Sequence, residues 1–92
     1  MNFGEALRLL KVGGLVRRTG WNGKGMWLAL TPGSTITSEQ ARSGAVKAQV
    51  EQEKVTTVTI LPHIDMRTAD GGICIGWLAS QTDMLAEDWE EL

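Results

Sequence analysis

The chain is poor in the residues from which metal centres and nucleophilic active sites are usually built: it has one cysteine, one histidine and no tyrosine. A lone Cys74 excludes an intrachain disulfide and any multi-cysteine zinc site, and its place in an alternating segment points to a buried thiol. With His63 as the sole imidazole, a metal site would have to be assembled from carboxylates, so no metal is expected. Following Pro62 between two expected strands, His63 reads first as a residue that caps or packs. Ser80, His63 and Asp83 supply the residue types of a hydrolytic triad, but no Gly-x-Ser-x-Gly elbow supports them. The loop from Gly20 to Gly25 lacks the Gly-x-x-x-x-Gly-Lys-Ser/Thr pattern, so triphosphate hydrolysis is not implied. Neither a catalytic residue nor a cofactor is expected.

An excess of positive charge is also missing. The net charge of −2 argues against a nucleic acid polymer as partner, because such binding needs a basic surface to displace counterions. No apolar run approaches the length that spans a membrane, and Met1-Asn2-Phe3 lacks the basic start of a secretory signal. The expectation is a soluble cytoplasmic protein. Charge is nevertheless unevenly spread: Arg8, Lys11, Arg17, Arg18 and Lys24 face only Glu5 in the first 24 residues, whereas Asp83, Glu87, Asp88, Glu90 and Glu91 crowd the last ten without a base. Either the two ends pair across a sheet, or the basic end forms a local anion site.

At 92 residues the sequence reads as a small single domain that buries only about 60–65% of its unfolded surface, so its core is thin and a second subunit is plausible. Asn2 and Glu5 have capping-box spacing, and Phe3, Ala6, Leu7 and Leu10 recur with helical period until Gly13-Gly14. Strands are expected at Leu15 to Arg18, Met26 to Leu30 and Val55 to Leu61, with Pro32-Gly33 and Pro62 as breaks. Thr37 and Gln40 suggest a helix to about Ser43, interrupted by Gly44. Ile64 to Thr68 and Ile73 to Ile75 flank an Asp70-Gly71 turn and predict a hairpin. Ser80 with Asp83 marks a short helix through Leu85, and Asp88-Trp89-Glu90 a closing strand. The fold class is α+β: an N-terminal amphipathic helix packed on a largely antiparallel sheet.

Four tryptophans stand out in so short a chain. Trp27 and Trp89 lie in expected strands and read as core. Trp21 sits in the glycine-flanked loop Gly20-Trp21-Asn22-Gly23-Lys24-Gly25, where its indole beside an amide and an amine offers a stacking platform for a flat, polar, phosphate-bearing molecule. The polar run Ser80-Gln81-Thr82-Asp83 follows Trp77, which reads as core or as a second stacking face. Asp83 either returns to the Ser80 turn as a cap or points toward Trp77 as an acceptor. Asp65 is expected to face solvent from an alternating strand, and Asp70 belongs to the hairpin turn.

Several blocks, Asn2 to Leu7, Gly20 to Gly25, Pro32-Gly33-Ser34, Leu61-Pro62-His63-Ile64, Thr68-Ala69-Asp70-Gly71 and Gly76 to Trp89, together resemble a family of small phage proteins that act against the Thoeris bacterial immune system by sequestering its cyclic ADP-ribose-type signal. The resemblance implies a homotetramer whose shared pockets hold a cyclic ADP-ribose isomer, some members also taking cyclic dinucleotides. It further implies Trp21 and Trp77 as stacking residues, Asn22 and the Gln81-Thr82-Asp83 run against ribose or base edges, Gly23 as a further ligand contact of the loop, and Arg17, Arg18 or Lys24 on phosphate. Residues Thr35 to Lys54 match no part of that pattern. A sponge that binds a cyclic nucleotide without turnover is the leading reading. A protein-interaction module using exposed tryptophans as hot spots is the alternative, and a nucleotide-cleaving enzyme stands third because no nucleophile and base are paired.

Overall fold

Asn2 starts the first helix as its spacing to Glu5 predicts. In the computed structural model, which describes residues 1–21 and 24–92, the Glu5 amide donates to Asn2 Oδ1 at 2.9 Å and the Asn2 amide donates to Glu5 Oε1 at 3.0 Å. The helix ends on a glycine cap: Gly13, at φ +92°, donates its amide to Leu10, and Gly14 donates to Leu9. In chain order the elements are α1 (Phe3–Lys11), β1 (Val16–Arg18), β2 (Trp27–Thr31), β3 (Ser34–Thr37), α2 (Gly44–Glu53), β4 (Thr57–Ile60), β5 (His63–Arg67), β6 (Ile73–Cys74), α3 (Gln81–Leu85) and β7 (Trp89–Glu91). They fall into two compact units: Met1–Thr31 with His63–Leu92, and Pro32–Pro62.

The larger unit is built on an antiparallel sheet in the order β6-β5-β2-β1-β7. Its register sets which side chains share a face. Val16 lies opposite Leu28, Leu28 opposite Met66, Leu30 opposite Ile64, and Arg18 opposite Trp89. Ala6 and Leu10 of α1 join Val16, Leu28 and Trp89 in one buried cluster, with Phe3, Trp21 and Trp77 packed around it. Burying each large apolar side chain stabilises by about 1.5–3 kcal/mol, so so few fully buried residues make a thin core. Trp27 departs from expectation. It falls one residue out of phase with Leu28, on the opposite face with Arg67, and is only half-buried and outside the cluster.

Two further expectations about burial are overturned. Asp65 is 6% exposed, not solvent-facing, because the chain beyond β6 folds back: the Gly76 amide donates to Asp65 Oδ1 at 2.9 Å and the Trp77 amide donates to Ile64. Cys74 is exposed, not buried, since β6 is a two-residue edge strand that among the described residues pairs only with β5. The β5–β6 hairpin itself forms as predicted, closed by Thr68 and Gly72, with Gly71 at φ +96°.

In the smaller unit β3 pairs antiparallel with β4, and α2 packs against β4. The helix expected from Thr37 to Ser43 is a turn. Gln40 donates its amide to the Thr37 carbonyl while its side chain accepts from the Thr37 amide at 2.8 Å, closing the loop on itself. A helix starts instead where one was expected to break, at Gly44. Val46, Gln49 and Val50 fall on one helical face and are its half-buried residues, which explains why Val46, Ala48 and Val50 imitate strand alternation.

Candidate functional site

The uneven charge of the sequence becomes a set of cross-strand contacts between β1 and β7. Arg17 lies opposite Glu90, and its Nε donates to Glu90 Oε1 at 2.8 Å on the exposed face. Arg18 points the other way. Its Nε donates to Asp88 Oδ1 at 2.8 Å and its Nη1 to Asp83 Oδ1 at 2.9 Å, with the guanidinium only 15% exposed. Hydrogen bonds to Asp88 and Asp83 raise the Arg18 pKa further. Asp88 is held below the usual carboxylate range chiefly by Arg18. Burial pushes Asp83 up, but bonds from Arg18, Ser80 and Trp21 outweigh it and hold this carboxyl low.

Asp83 takes the capping role, and its second oxygen meets Arg18 and Trp21 rather than standing open beside Trp77. As the cap of α3 it returns Oδ2 to the Ser80 amide and hydroxyl at 3.2 and 2.8 Å, while Oδ1 takes Arg18 and, at 3.3 Å, the Trp21 indole Nε1. Trp21 is thereby tied inward. Its ring stands edge-on to Trp77 and Trp89 at 6.4 and 5.4 Å between centroids. The loop indole is therefore half-buried against the core, a packing that no helix or strand period announced.

Beside this arrangement opens a cleft of about 350 Å³, lined by Arg17, Arg18, Trp21, Lys24 and Glu90 among others. The volume is at the low end for a small-molecule pocket. Lys24 is exposed and forms no ion pair among the described residues. Two glycines of the loop answer to neighbours: a Cβ on Gly20 would lie 2.7 Å from Asp88 Oδ2, and one on Gly25 would lie 2.5 Å from Arg67 Nη1. The space they leave lets the Gly20 amide reach Asp88 and the Gly25 carbonyl accept from Arg67.

Of the site residues named from sequence, the structure brings Arg17, Arg18, Trp21 and Lys24 to one cleft, with Asp83 and Trp77 packed behind Trp21. Gln81 and Thr82 are exposed in the first turn of α3 and do not line it. Asn22 and Gly23 lie outside the described residues. Glu90 was missed as a site residue, although the matched acidic and basic ends were its signal.

A family model described as the Thoeris anti-defense 2-like domain matches residues 1–92. The chain belongs to this family. It is also similar to a protein named Thoeris anti-defense 2 from Bacillus phage SP01, at 42% identity over 90 residues, covering 98% of this chain and 92% of that protein. The family match spans both compact units, including residues 35–54, which had shown no resemblance.

A second polar cluster in this family member surrounds Asp65. The carboxylate accepts from Thr31 Oγ1, from the Gly76 amide and from His63 Nδ1, the last at 2.7 Å. Burial pushes Asp65 up, but these hydrogen bonds outweigh it and lower its pKa. His63 thus orients on a buried carboxylate, in keeping with a structural role. Among the described residues no group of three or more metal-ligating side chains is placed to hold an ion, and no helix is long and apolar enough to cross a membrane.

Proposed function

We propose that the protein sequesters a cyclic ADP-ribose-type immune messenger without cleaving it, lowering the free signal in the cytoplasm of an infected bacterium below what the Thoeris effector needs. Membership of the Thoeris anti-defense 2-like family supports an anti-defence role. The observation behind the binding mode is the joining of Trp21, Lys24 and Arg17 on one cleft, a partly open indole beside two cations. That combination suits a base and a phosphate of one ligand. Asn22 and Gly23, which adjoin Trp21 in sequence, join the proposed ligand contacts on the family resemblance, and Trp77 backs the stacking ring. Arg18 is committed to two carboxylates, so phosphate falls to Lys24 and Arg17.

We further propose a homotetramer. A thin core accompanies exposed Ile73, Ile75, Leu78 and Leu85, which a second subunit would cover, and exposed Gln81 and Thr82 would be available to a neighbour's ligand. The tryptophan hot-spot alternative has less support, because all four indoles are buried or half-buried.

The test is to load the purified protein with a cyclic ADP-ribose isomer, remove excess, denature by heat and identify what is released by mass spectrometry. The starting compound is expected, at no more than one equivalent per site. Linear or hydrolysed product formed over many turnovers would favour an enzyme. Light scattering at low micromolar concentration that returned one 10.0 kDa chain would remove the tetramer.

A further inference from the structure

Resting on that reading of the cleft, we propose that Glu90 selects the ligand, its carboxylate accepting from a ribose hydroxyl or an exocyclic amine and so excluding anions that carry no such donor. The inference comes from the distribution of acceptors around the cleft. An ionised carboxylate has about four lone-pair sites. Asp83 meets the Arg18 guanidinium, the Trp21 indole and the Ser80 amide and hydroxyl. Asp88 meets Arg18, Thr19 and the Gly20 amide. Asp83 is thus fully engaged and Asp88 nearly so in holding the loop, and neither lines the cleft. Glu90 lines the cleft, is 40% exposed, and among the described residues meets only Arg17, through Oε1. Its Oε2 is the acceptor left for a ligand.

The same geometry constrains charge. Arg17 and Lys24 offer two cations to the cleft, and Glu90 cancels one of them. A ligand bearing only phosphate meets that carboxylate as repulsion, whereas a nucleotide places a donor on it and a phosphate on Lys24. Arg17 is engaged with Glu90 through Nε alone, and among the described residues its two terminal nitrogens donate to no side chain.

Wild type and Glu90→Gln are to be compared by calorimetry against a cyclic ADP-ribose isomer and against inorganic pyrophosphate, with Trp21→Phe as a control on the site. Glu90→Gln keeps size and loses charge, and at this exposed pair it should melt like wild type. The expected result is a loss of about tenfold or more in affinity for the nucleotide, together with tighter pyrophosphate binding. Unchanged or tighter nucleotide binding by Glu90→Gln would overturn the inference and leave Glu90 as a neutraliser of Arg17. If Glu90→Gln is neutral while Trp21→Phe binds more weakly, the sponge reading survives and the selection by Glu90 does not. No binding of the nucleotide by wild type sinks both.

Discussion

Trp21 and Asp83 are joined across 62 residues by a hydrogen bond of 3.3 Å from the indole nitrogen to the carboxylate that also caps α3 and receives Arg18. The ring beside the cleft is consequently held by the core, not by its own loop. Trp21→Ala should therefore lower stability by about 2–3 kcal/mol as well as weaken ligand capture, since a half-buried indole leaves a partial cavity. Trp21→Phe separates the effects: it keeps an aromatic face, loses the bond to Asp83, and should melt within about 1–2 kcal/mol of wild type. Thermal melting with titration of each variant checks this. A Trp21→Ala protein as stable as wild type would show that the ring contributes nothing to packing.

Asp65 predicts a larger loss at a place remote in sequence from the cleft loop. Asp65→Ala strands the Thr31 hydroxyl, the Gly76 amide and the His63 ring nitrogen at once. A cost of about 3 kcal/mol or more is expected, because each buried donor left without a partner carries its full desolvation penalty. Urea denaturation should show a fall in midpoint with an unchanged slope. A cost under about 1 kcal/mol would mean that solvent replaces the carboxylate.

Acid should act through Asp83, Asp88 and Asp65, all held below the ordinary carboxylate range in the folded state. A depressed folded pKa contributes stability above the unfolded value of about 3.9, and that stability is lost as pH falls through the folded values. Melting temperature should be flat between neutrality and about pH 5 on this account and drop below about pH 4. Asp83→Asn should shallow the acid limb while lowering the plateau, and an unchanged acid limb would remove Asp83 from the linkage.

Much of this architecture was legible because its signals are local. Asn2 with Glu5, and Ser80 with Asp83, specify caps within three residues, and both boxes form. Asp70-Gly71 likewise fixes a hairpin by its own backbone needs. What sequence hid was non-local. Asp65 reads as a surface residue until Gly76 folds back over it, and Trp21 reads as a loop residue until Trp77, Trp89 and Asp83 surround it. Thr37 to Ser43 failed for another reason: the Thr37 and Gln40 bonds that begin a helix also close a turn, and the residues alone do not separate the two. At the cleft, Arg17, Arg18 and Lys24 were legible as a basic end, but their division into paired and unpaired cations required the register of β1 against β7.

That division gives opposite expectations for two basic residues six positions apart. Arg18→Ala leaves Asp83 and Asp88 without their shared guanidinium, at a cost on the order of 2–3 kcal/mol, and should reduce ligand binding mainly by loosening the loop. Lys24→Ala removes an exposed amine with no ion pair among the described residues, so stability should stay within about 0.5 kcal/mol of wild type. Its binding of a cyclic ADP-ribose isomer should weaken by about tenfold, and the affinity should depend less on salt, because one phosphate contact is gone. Titrations at low and high ionic strength, read beside melting curves, separate the two variants. If Lys24→Ala bound as tightly as wild type with the same salt dependence, the phosphate would have to lie on Arg17 or on another subunit, and the cleft as drawn around Lys24 would be misplaced.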